Sequence, residues 1–77
     1  MSFSDSERAQ YKQAFDFFDT DGSGQISTSE LGKAMTSLGY NLTGPQIQQI
    51  LTHVDKDGSG QIGFDEFLAF VASAKSQ

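Results

Sequence analysis

The segment Asp21-Gly-Ser-Gly-Gln-Ile26 recurs, residue for residue, as Asp57-Gly-Ser-Gly-Gln-Ile62, 36 positions further along the chain. The same offset carries Asp19 onto Asp55 and Glu30 onto Glu66. It also carries Tyr11 onto Ile47, Phe15 onto Leu51, Phe18 onto Val54, Leu31 onto Phe67 and Met35 onto Val71. Acids and apolar positions repeat together, so what is duplicated is a structural unit.

Outward from each copy the apolar residues keep helical spacing. Tyr11, Ala14, Phe15 and Phe18 precede the first copy, and Leu31, Ala34, Met35 and Leu38 follow it. Ile47, Ile50, Leu51 and Val54 precede the second, and Phe64, Phe67, Leu68 and Val71 follow it. Each set makes one stripe on a helix of about three turns. Ser4 with Glu7, and Thr43 with Gln46, read as capping boxes. Pro45 falls in a first helical turn and Gly39 just past a helix end. The expected fold is all-α: helix–loop–helix over about 5–39, a linker over 40–43, and helix–loop–helix over about 44–75. Residues 1–77 then make a single lobe.

Each loop offers oxygen at alternate positions. The first presents Asp19, Asp21, Ser23, the carbonyl of Gln25, Ser27 and Glu30; the second presents Asp55, Asp57, Ser59, the carbonyl of Gln61, Gly63 and Glu66. This is the 12-residue pattern of the EF-hand, with ligands at positions 1, 3, 5, 7, 9 and 12. Calcium is a hard cation that takes six to eight oxygens at about 2.3–2.6 Å, so one loop must wrap around it. Glycine at the sixth position, Gly24 and Gly60, permits the sharp bend. Ile26 and Ile62 at the eighth are expected to pair in a short two-stranded ladder. Gly63 has no side chain, so a water is expected to ligate there, whereas Ser27 can bind directly or hold one. Serine at the fifth position leaves three carboxylates per site, which sets an expectation of about micromolar to tens of micromolar affinity, with magnesium a poor competitor.

Composition agrees. The 77 residues carry ten acids against five bases, a net charge of −5. Six of those acids are expected ligands, so most of the negative charge faces the ion and repels itself without it. The bases are scattered, which argues against nucleic acid. The longest apolar run, Phe67 to Ala72, is far too short to span a membrane. There is no cysteine, hence no disulfide or thiolate site, and a cytoplasmic setting is the natural expectation. So small a core needs a metal or a partner for security.

The stretches Ala14-Phe-Asp-Phe-Phe-Asp-Thr-Asp-Gly-Ser-Gly-Gln-Ile26, Glu30-Leu-Gly-Lys-Ala-Met-Thr-Ser-Leu-Gly39 and Glu66-Phe-Leu68 resemble the N-terminal lobe of calmodulin and of its troponin C and myosin light chain relatives. The likeness covers about Ser4 to Lys75 and implies two calcium sites. It also implies calcium-dependent opening of an apolar groove for an amphipathic target helix. The groove would be lined by Phe17, Met35, Leu38, Ile50, Leu51, Phe70 and Val71. Only Met35 is a methionine at such a position, which points to a narrow partner range. The third helix, Pro45 to Val54, has no formal charge, so recruitment of a basic helix should be weak. Both features suit a dedicated light chain holding the IQ motif of an unconventional myosin, monomeric when free. A passive calcium buffer, a calcium-insensitive light chain, and an isolated lobe of a longer calmodulin-like protein are the competing possibilities.

Other residues have plainer readings. Phe15, Phe18, Phe64 and Phe67 are core. Phe17 and Phe70 stand open between groove lining and ordinary partial exposure. Phe3 is expected to be disordered, Tyr11 to be core, and Tyr40 to be a surface aromatic. His53 has no second nitrogen or thiol ligand nearby and reads as a solvated side chain. Asp65 beside Glu66 faces another way, so paired acid–base catalysis is not expected. No nucleophile–base pair or cofactor motif points to an enzyme.

Overall fold

A computed structural model of the chain describes residues 3–54 and 60–75. Helix α1 spans Asp5–Phe18, strand β1 Gln25–Ser27 and helix α2 Thr28–Ser37. Helix α3 spans Gly44–Val54, strand β2 Gln61–Gly63 and helix α4 Phe64–Lys75.

The helices begin where local chemistry satisfies their first amides. At α1, Ser4 Oγ accepts from Glu7 N (3.2 Å) and Ser4 N donates to Glu7 Oε1 (3.0 Å). At α3, Thr43 Oγ1 accepts from Gln46 N (3.3 Å) and Thr43 N donates to Gln46 Oε1 (2.9 Å). Pro45 sits inside that first turn, where its missing N–H leaves no bond broken. Gly39 ends α2 with φ +97°, the left-handed conformation that favours glycine. A third capping box, Ser27 with Glu30, starts α2.

The strands form one antiparallel ladder with Gln25 opposite Gly63, Ile26 opposite Ile62 and Ser27 opposite Gln61. Both isoleucines are fully buried. The ladder therefore joins the two loops and also plugs the end of the core. An all-α fold of paired helix–loop–helix units, tied between its loops, is what the chain adopts.

One core fills the space between the helices. Phe15 stacks edge-on against Phe64 (centroids 5.5 Å) and Phe67 (5.6 Å). Leu31, Met35, Phe70 and Val71 close it from α2 and α4, and Ile50 and Leu51 from α3. Phe18 and Phe64 are half-buried at its margin.

Three points about aromatic residues are decided by the structure. Phe70 is wholly buried, which rules out ordinary partial exposure for it. Phe3 packs onto the lobe, meeting Tyr11 edge-on (5.2 Å) while Lys75 Nζ stands 5.4 Å from its ring. Tyr40 is half-buried against the core rather than free at the surface, since Tyr40 N donates to Met35 O (2.9 Å) and folds the chain back over α2.

Candidate metal centre

The first loop leaves α1 at Asp19, whose amide still donates to Phe15 O (2.9 Å). The chain then turns so tightly that the Asp19 carboxylate faces the amides ahead of it. Asp19 Oδ2 accepts from Gly24 N (2.8 Å), and Asp19 Oδ1 accepts from Ser23 N (3.2 Å). Gly24 can reach this position because it adopts φ +84°, which a Cβ would oppose. Gly60 holds the equivalent conformation in the second loop, at φ +78°.

Oxygens gather inside this turn. Ser23 Oγ lies 3.4 Å from Asp19 Oδ1 and 3.2 Å from the carbonyl oxygen of Gln25. A hydroxyl has one proton, so it serves only one of those acceptors at a time. Asp21 Oδ1 is added on the same side, accepting from Ser23 N at 3.1 Å. The Ser23 N–H, and next the Ser23 hydroxyl, hold the Asp21 carboxyl below the ordinary carboxylate range.

Ser23 Oγ thus brings oxygens of Asp19 and Gln25 to the same side of the turn, the side on which an ion held by this loop would sit. All these donors are oxygen, which suits calcium and offers a softer metal no nitrogen or sulfur.

Glu30 and Ser27 stand apart from this cluster. Glu30 Oε1 accepts from Ser27 N (2.9 Å) and Ser27 Oγ (3.1 Å), so it caps α2. Consistently, among the described residues no three acidic or histidine side chains converge closely enough to hold a metal. In the second loop Asp55, Asp57 and Ser59 lie outside the described residues. Gln61 and Gly63 are on β2, and Glu66 Oε1 accepts from Gly63 N (3.0 Å), matching the first loop.

The seven groove positions are placed differently from one another. Met35, Ile50, Leu51, Phe70 and Val71 are buried in the core and Leu38 is half-buried, so the lobe is closed over them. Phe17 is 75% exposed at the end of α1, touching Phe18 edge-on (5.0 Å). His53 is exposed in the last turn of α3.

Several contacts escape sequence reasoning. Lys12 Nζ lies 5.5 Å from the centre of the Phe15 ring and 5.3 Å from that of Phe64 while bonding Asp16 (3.0 Å). Its i,i+4 partner was visible in the sequence; the second ring, 52 positions away, was not. The capping role of Glu30 was legible as Ser27-x-x-Glu30, the same signature as Ser4-x-x-Glu7.

A family model described as an EF-hand domain pair matches residues 8–72. The chain belongs to that family, as a calmodulin-like single lobe. EF-hand pairs are calcium-binding modules and are typically not enzymes.

Proposed function

We propose that the chain is a calcium-responsive regulatory module that grips an amphipathic helix of a target protein. A dedicated light chain on a myosin IQ motif, or a calmodulin-like sensor, is the form that fits best. Two ions would be held: one by Asp19, Asp21, Ser23, the Gln25 carbonyl, Ser27 or a water on it, and Glu30. The other would be held by Asp55, Asp57, Ser59, the Gln61 carbonyl, a water beside Gly63, and Glu66. The observation that carries the calcium reading is the EF-hand pair match over residues 8–72, and the gathering of Asp19, Ser23 and Gln25 oxygens inside the first loop supports it. The ion supplies a divalent charge that gathers the carboxylates. Glu30 and Glu66 lie in the first turns of α2 and α4, so drawing them inward would tilt those helices.

Target binding is supported by what the closed lobe stores. Met35, Ile50, Phe70 and Val71 form a large apolar reserve under α2 and α3, which opening would present as a groove. The protein would act in the cytoplasm, as a free monomer until it meets its target, and without catalysis of its own. Apolar-dye fluorescence with and without calcium tests the opening, and a calcium-induced rise is expected. Calorimetry with an IQ-type peptide in calcium and in chelator tests the partner; equal or tighter binding in chelator would favour a constitutive light chain. The competing reading is a passive buffer that stays shut, which an unchanged dye signal would select.

A further inference from the structure

Resting on the calcium reading above, we propose that the first loop carries a built-in competitor for its own closing glutamate. The Ser27 amide and hydroxyl hold Glu30 in a capping box that the ion must take apart, so the first loop fills after the second.

The two loops make an internal comparison. They share the same residues at positions 1, 3 to 8 and 12, and they differ at position 9, Ser27 against Gly63. In the first loop one carboxylate oxygen, Glu30 Oε1, receives two donors, Ser27 N at 2.9 Å and Ser27 Oγ at 3.1 Å. The same hydroxyl accepts from Glu30 N (3.3 Å) and lies 3.1 Å from Ser29 Oγ. Ser27 Oγ is thus fully engaged, its proton on the carboxylate and its lone pairs on its neighbours.

In the second loop Glu66 Oε1 accepts from Gly63 N at 3.0 Å. Gly63 has no hydroxyl, so position 9 cannot supply a second bond. Closing on an ion takes the glutamate away from whatever held it before. The first loop gives up a charge-assisted hydroxyl bond that position 9 of the second cannot supply. Hydrogen bonds to charged groups are strong enough for this to shift half-filling by about tenfold. The loops also differ at positions 2, 10 and 11, where Lys56, Phe64 and Asp65 stand in place of Thr20, Thr28 and Ser29; among these only Lys56 and Asp65 are charged, and their charges sum to zero.

Serine fits at position 63, because a Cβ there would lie 3.7 Å from Glu66 Oε1, an ordinary contact. Glycine fits at position 27, whose extended backbone makes no special demand. The test is a calcium titration followed by two-dimensional NMR at the amides of Gly24 and Gly60. It is run on the parent chain, Ser27→Gly and Gly63→Ser. In the parent chain the Gly60 signal should move at about tenfold lower calcium than the Gly24 signal. Ser27→Gly should draw the Gly24 transition toward that of Gly60, and Gly63→Ser should delay Gly60. Without calcium, Ser27→Gly should also speed hydrogen exchange at the Glu30 amide, whose acceptor has gone. Because Ser27→Gly also removes a side chain from the first ion site, Gly63→Ser decides the matter: if both signals move but Gly63→Ser does not delay Gly60, the competitor does not exist and the calcium reading stands. If neither signal moves, the calcium reading fails and takes the competitor with it.

Discussion

Lys75 Nζ lies 3.1 Å from Glu7 Oε2, joining the last turn of α4 to the first turn of α1 across nearly the whole chain. The same carboxylate caps α1 through Ser4 N. The Ser4 N–H first, and the Lys75 ammonium next, hold the Glu7 carboxyl below its ordinary range. In return the hydrogen bond to Glu7 raises Lys75.

The sign of the pH effect follows from these directions. A lowered carboxyl stabilises the fold above its unfolded value and loses that contribution as pH falls through its folded value; a raised ammonium loses its contribution as pH rises through its own. The melting temperature of the parent chain should therefore exceed that of Glu7→Gln at neutral pH. The gap should shrink below the ordinary carboxylate range. Both side chains are well exposed, so the gap should be small and should narrow in high salt. A gap that persists unchanged into strong acid would count against the pair.

Gly32→Ala should stabilise the protein by about 0.5–1 kcal/mol, because alanine loses less entropy in a helix. The added Cβ would stand 3.3 Å from Ile47 Cδ1. That atom is the free end of a half-buried side chain bordering a cleft lined by Leu42 and Thr36, so it can move aside. Urea unfolding measures the change, and a lower midpoint would show that Ile47 cannot yield.

Phe70→Ala and Phe17→Ala should separate sharply. Phe70 is fully buried, and its removal should cost about 3–5 kcal/mol, a large part of the stability of so small a domain. Phe17 is 75% exposed, and its loss should stay within about 0.5 kcal/mol. Chemical denaturation without calcium compares the two.

Calcium should raise the melting temperature and a chelator should reverse it. At a free concentration a hundred times the dissociation constant, each filled site adds about 2.7 kcal/mol. For a domain of this size that corresponds to roughly 10 °C or more per site. Glu30→Gln and Glu66→Gln should each remove much of that gain, read by calorimetry. Undiminished calcium uptake in both variants would overturn the assignment of these glutamates.

The helices, their caps and the loop ladder were legible because each is a local matter. Ser4-x-x-Glu7, Thr43 with Gln46, Gly39 and the isoleucines of the repeat lie within a few residues of what they organise, or are fixed by the duplication itself. The oxygen cluster of Asp19, Ser23 and Gln25 was legible for the same reason: alternate residues of a tight loop must face inward. By itself, then, the sequence determined paired helix–loop–helix units and the chemistry that their loops favour. Only the tertiary structure decided that Phe70 is enclosed while Phe17 is bare, and that Phe3 and Lys75 close over Tyr11. Helical spacing says which side of a helix is apolar, but the depth to which each residue sinks depends on which helix arrives opposite. That depends on contacts between residues far apart in the chain, which no local pattern encodes.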